Sequence, residues 1–170
     1  MPASARCQTA RVLLTVSSRA IVVLILASLF SATAAAEDEK GQTYEISVWA
    51  IRATKSNSEV SPELKPIAKE LKRRFNYTGF KLERKKTGTA KTGATFATEL
   101  IAGFKAQITP VERTGSRVKL KIELSRRQGK KETRLLSTTV TLNRGKFHLQ
   151  GGWKIEPKGE DVLIVAVSAR

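Results

Sequence analysis

The 170-residue chain reads as an α+β fold: a mostly antiparallel β-sheet of about six or seven strands, with one helix packed on one face. Three observations predict it. Apolar residues alternate with polar ones in segment after segment from Tyr44 onward, the period of a half-buried strand. A single stretch, Ser61 to Phe75, switches to helical spacing. The run Val162-Leu-Ile-Val-Ala-Val167 is apolar on both faces, as a central strand must be.

The elements follow in order. Arg6, Arg11 and Arg19 precede the apolar run Ala20–Phe30, and small residues lead to Ala34-Ala-Ala36. A basic stretch, an apolar stretch and an A-x-A site form the layout of a secretory signal peptide, cleaved after Ala36 or after Ala34. The apolar run falls short of the roughly 20 residues a spanning helix needs. Cys7 lies too far upstream to anchor a lipid. Residues 37–43 read as a flexible N-terminus, and 44–170 as one domain. Loss of three arginines with residues 1–36 lowers the formal net charge from +16 to +13 and removes the one Cys. No transmembrane segment is expected after cleavage.

Tyr44, Ile46, Val48 and Ala50 share one strand face, and Ile51 and Ala53 continue on the other phase. That switch predicts a bulge near Trp49 or Ala50. Ser61 suits a helix N-cap and Pro62 the first helical position. Leu64, Ile67, Ala68, Leu71 and Phe75 then mark one helical face. Pro66 conflicts with that helix and predicts a late start or a distorted first turn. Phe80 and Leu82 begin a strand that runs to Lys86, while Gly/Thr-rich residues 87–95 read as an exposed loop or edge. Phe96 to Leu100 is a short strand. Strict alternation over Phe104–Thr109 and Arg117–Leu124 gives two more, joined by a turn at Thr114-Gly-Ser116. A Thr-rich strand over 133–142, a turn at Asn143-Arg-Gly145, a strand around Gly151-Gly152 and the final apolar run complete the chain. The Gly pair reads as a bulge or a close packing site.

Composition excludes several chemistries. One Cys and one His cannot build a disulfide scaffold or a Cys/His zinc site. Neither G-x-G-x-x-G nor a Walker loop occurs. His148, the lone histidine, reads as a surface or rim residue. Asn76-Tyr-Thr78 matches a glycosylation sequon but serves better as a helix end. The chain is therefore expected to be non-enzymatic, with no catalytic, metal or cofactor residues and no cofactor. The alternative is a small carboxylate-dependent envelope hydrolase with Glu160 and Asp161 as the acids.

The basic residues supply the candidate site: Lys72, Arg73, Arg74, Arg84, Lys85, Lys86, Arg117, Lys119, Lys121, Arg126, Arg127, Lys130 and Lys131. Such clusters attract anionic envelope polymers or lipid headgroups. Nucleic acid is the weaker partner, because the aromatics follow the core pattern rather than interleaving with the cations. Another envelope protein, joined by sheet-edge pairing, is the other expected partner.

The segment Thr138-Thr-Val-Thr-Leu-Asn-Arg-Gly-Lys-Phe-His-Leu-Gln-Gly-Gly-Trp153, followed by Val162–Val167, resembles the end of the bacterial secretin domain. There too a strand, a turn Gly, a strand ending in Gly-Gly and a final apolar strand recur. Upstream, Ser61-Pro-Glu-Leu64, Ile67-Ala68, Leu71, Phe75 and Gly79-Phe-Lys-Leu82 look like small exported bacterial proteins of uncharacterised activity. The resemblance implies export and a sheet topology, and nothing catalytic. The chain departs from secretins in lacking the length of a multi-domain, ring-forming channel. The expected function is an exported binding or scaffolding module of the periplasm or cell envelope, or a secreted one. An accessory component of a secretion or pilus system is the alternative that the resemblance implies.

Overall fold

The computed structural model describes residues 41–170. The signal-peptide reading of residues 1–36, and residues 37–40 of the flexible N-terminus, lie outside them. Eight strands occur among the described residues: β1 (Thr43–Thr54), β2 (Gly79–Lys91), β3 (Phe96–Glu99), β4 (Phe104–Thr114), β5 (Arg117–Gln128), β6 (Lys131–Asn143), β7 (His148–Lys154) and β8 (Val162–Ala169). They form two antiparallel four-stranded sheets. One has the order β2-β1-β8-β7, the other β3-β4-β5-β6.

This corrects the α+β expectation: the fold is mostly β, in two sheets rather than one. Helix is confined to a 3-10 turn, Pro62–Leu64, and to α1, the seven residues Ala68–Arg74, both within the β1–β2 connection. Pro66 explains the loss. It cannot donate an early hydrogen bond, so the expected helix splits around it. Ser61 makes no side-chain cap; its Oγ instead accepts from the Leu82 amide at 3.0 Å.

Alternation reports that one strand face is buried, but not what buries it. Here Tyr44, Ile46, Val48 and Ala50 of β1 pack with Leu163, Val165 and Val167 of β8 against Phe104, Ala106, Ile108, Val118, Leu120, Ile122 and Leu124 of the second sheet. The opposite face of the first sheet carries Ile51, Ala53, Phe80, Val162 and Ile164, covered by Leu64, Ile67 and Leu71 of the helical segment. The first sheet is thus a middle layer, apolar on both sides. β8 runs between β1 and β7, and all eight of its residues are buried.

Residues 87–91, expected to be an exposed loop or edge, continue the edge strand β2. The long β1 pairs with them from Thr43↔Lys91 to Ser47↔Thr87, and Thr tolerates the half-buried pleat. The bulge expected near Trp49 or Ala50 falls between Ala50 and Ile51. Pro110 lies inside β4, and the ladder shifts register between Pro110 and Glu112, where Pro can be accommodated. At Gly151-Gly152 both sequence readings apply. The ladder slips between Gly151 and Trp153, and Gly152 has φ +106°. A Cβ on Gly151 would lie 2.8 Å from the Ile164 Cα.

Candidate functional site

The thirteen cations do not converge. Lys72, Arg73 and Arg74 end α1, where Arg73 and Arg74 approach Glu70. On β2, Arg84 and Lys86 pair with the inward residues Ala50 and Val48, so they share the core-side face at the sheet margin. Lys85 pairs with Trp49 on the other face. Arg117, Lys119 and Lys121 alternate with the buried residues of β5 and so lie on the outer face of the second sheet. That face is not uniformly positive: Lys119 pairs with Glu112 at 3.4 Å and Lys121 with Glu123 at 3.2 Å. Lys121, with Arg134 and Ser137, pulls the Glu123 carboxyl below its ordinary pKa. Arg127 approaches Glu132, and Lys130 and Lys131 flank the β5–β6 turn.

Arg126 does something else. Its guanidinium lies 4.6 Å from the Phe104 ring centre and donates to the main-chain carbonyls of Lys154 and Ile155. It therefore ties the second sheet to the end of β7, with Nε buried and without a partner. Sequence reasoning could not separate it from Arg127, because both lie in one basic run.

Of the two acids considered for hydrolysis, Asp161 is engaged elsewhere. Arg52 bonds Glu83 at 2.8 Å and Asp161 at 3.1 Å. The Thr54 hydroxyl and the Arg52 guanidinium hold the Asp161 carboxyl below its ordinary pKa. An ion-paired carboxylate of this kind is poorly suited to donate a proton at neutral pH. His148 is half-buried on β7, beside Gln150 at 3.2 Å. Burial lowers its pKa, Arg74 lowers it further, and Glu70 opposes both.

The four sheet margins differ sharply. On β7, Arg74 donates to the Leu149 carbonyl and Arg126 to that of Lys154. β3 has only four residues. β2 carries Arg84, Lys85, Lys86 and Lys91, and Phe96 lies against its Gly88. Short strands, cations and covering groups are the usual protections of an edge. The thirteen-residue β6 pairs with β5 alone, and Leu135–Leu142 contains neither charge nor Pro. Leu135 is one of its exposed large apolar residues.

A second feature lies on the outer face of the first sheet, beyond the helical cover. There Thr87, Ser47 and Ser168 stand in register on three adjacent strands. The row beside them is Lys85, Trp49 and Ala166. All of these but Ala166 line a cleft of about 650 Å³. The Trp49 indole N–H donates to Ser47 Oγ at 2.9 Å, Phe147 tilts against its ring at 4.4 Å, and the Lys85 ammonium lies 5.2 Å from the ring centre. Of the thirteen cations only Lys85 lines this cleft. The rest of the floor escaped sequence reasoning because its register depends on β1 meeting both β2 and β8.

Among the described residues no helix is long and apolar enough to cross a membrane. No family model and no curated protein matches the chain. Two solved structures are similar to it. One is the T2SS secretin XcpQ from Pseudomonas aeruginosa, at 9% identity over 88% of this chain and 63% of that one, with a TM-score of 0.40. The other is the Salmonella SPI-1 type III secretion injectisome secretin InvG in the open gate state, at 10% identity, 91% and 63% coverage and a TM-score of 0.27. The chain spans less than two thirds of each. Both neighbours are secretins, the family that the end of the chain resembles. At such low TM-scores, what the chain does has to be read from its own residues.

Proposed function

We propose that this chain is a non-enzymatic, exported binding module of the bacterial envelope that joins another envelope protein by strand addition at β6. One observation carries the reading: β6 is long, paired on one side only, and free of charge from Leu135 to Leu142. An added strand gains main-chain hydrogen bonds along the edge and reads alternate side chains on each face. The scatter of the basic residues supports protein over polymer as the partner, since a polyanion is best held by cations gathered on one surface.

Site-specific photocrosslinking tests it. Probes at Ser137, Thr139 and Thr141 should give one common adduct in cells that express the chain, and a probe at Gln107 inside the second sheet should give none. Thr139→Pro removes a main-chain donor from the edge strand and should abolish the adduct if that amide faces the partner. Val140→Pro removes the neighbouring amide, which faces the opposite side of the strand. Equal labelling from Gln107, or no adduct from any β6 position, overturns the reading. So does an adduct that survives both proline substitutions in protein that remains folded.

A further inference from the structure

We propose that the cleft on the outer face of the first sheet is a binding site for a short amphoteric peptide, one that presents both an ammonium and a carboxylate. The outer face of this sheet is divided. Where the helical segment lies it is apolar and closed, with Ile51, Phe80 and Ile164 under Leu64, Ile67 and Leu71. Beyond that cover it turns polar, and three hydroxyl residues in one cross-strand row replace the apolar side chains. The core does not require that row. Ser47 accepts from the Trp49 indole at 2.9 Å and meets Thr87 at 3.4 Å, and Thr87 has no other side-chain hydrogen bond among the described residues, so the row keeps capacity for further bonds.

Charge complementarity defines the ligand. The wall built by the helical segment contributes the carboxylates Glu63 and Glu70. Glu70 also faces Arg74 at 3.8 Å, whereas Glu63 has no ion-pair partner among the described residues. A different wall, made by the turn before β7 and the residue after β8, contributes Lys146 and Arg170, with Glu45 of β1 lining the cleft beside Arg170. Those two cations also have no side-chain ion pair among the described residues. A polyanion would meet Glu63 and Glu70 and lose affinity. A polycation would meet Lys146 and Arg170. A ligand with both signs satisfies both walls while its main-chain amides reach the hydroxyl row. Trp49 lines the cleft, with the Lys85 ammonium 5.2 Å from its ring centre.

Trp49 also supplies a readout, because Trp153 is the only other tryptophan and packs in the core between the sheets. In Trp153→Phe protein, the tetrapeptide Lys-Ala-Ala-Glu with free termini should shift the indole emission saturably and give a matching heat by titration calorimetry. A dissociation constant of about 1 mM or tighter is expected, as for a small polar peptide. Lys146→Glu with Arg170→Glu should weaken it at least about tenfold. Glu63→Gln with Glu70→Gln should do the same, and all three proteins should keep the same melting temperature within a few degrees. Absence of saturable binding by both readouts overturns the proposal. So does binding that neither double variant changes. Tighter binding of a heparin oligosaccharide or of neutral cellotetraose at the same site would also overturn it, by assigning the cleft to a glycan.

Discussion

β8 and β6 differ in apolar content, seven residues of eight against four of thirteen, and their fates are opposite. Every residue of β8 is buried, with β1 on one side and β7 on the other. In β6 no residue is fully buried, and half-buried positions alternate with exposed ones from Leu136 to Leu142. The first sheet is a middle layer held from both faces, and its strands carry the core. The second is an outer layer with one wet face and one open margin. The former buries apolar residues on both faces and the latter on one, and the surfaces available for recognition lie at the edge of the latter and on the uncovered half of the former.

That contrast can be broken most forcefully in β8. Leu163→Ala removes a fully buried side chain at the centre of the first sheet and should cost about 2–5 kcal/mol. Leu142→Ala, half-buried on β6, should cost clearly less. The shift in urea midpoint at constant slope measures both, and equal losses would show that the two sheets share the load.

Arg126→Met tests the tie between the layers. It leaves the Lys154 and Ile155 carbonyls without their guanidinium donor and should cost about 1–3 kcal/mol. Arg127→Met next to it, on the exposed face, should stay within about 0.5 kcal/mol. Similar losses would reassign Arg126 to the surface cations.

Gly152→Ala places a side chain at φ +106° on the bulge of β7. A loss of about 1 kcal/mol is expected from backbone strain, visible as a lower melting temperature. The space around this position is open, so a larger loss would mean that the bulge also positions β8.

The smallest effect concerns pH. His148 has a lowered pKa in the folded chain, so the unfolded chain binds the proton more readily. Its contribution to stability is therefore present above the ordinary imidazole pKa. It is lost as the pH falls through that value toward the lowered folded one. A melting temperature that declines across this window in the parent, and less in His148→Gln, fits this account. Identical profiles would place His148 with the solvated residues.

Much of the strand pattern was legible because alternation is local. Phe104–Thr109, Arg117–Leu124 and Val162–Val167 each became a strand, and the bulges at Ala50 and Gly151-Gly152 lay where phase change and paired glycines put them. At Ser61–Phe75 the conflict at Pro66 was legible, and the α-helix begins only at Ala68 after a 3-10 turn. For residues 87–91 the choice between loop and edge stayed open, because their structure comes from a partner strand some forty residues away. The candidate cations were legible as residues but not as a surface. Lys119 and Lys121 meet acids, and Arg126 turns inward, only once the sheets are assembled.

Local chemistry thus marks most of the segments that extend and the places where they turn. Side-chain period and backbone permissiveness act over a few residues, and a single chain displays them. Pairing partner and layer are different. A strand with two apolar faces can lie in several sheets, and only the competition among all eight for burial placed β1 and β8 in the middle layer. That choice closed one half of the outer face under the helical segment, left the hydroxyl row open on the other half, and exposed β6 along its length.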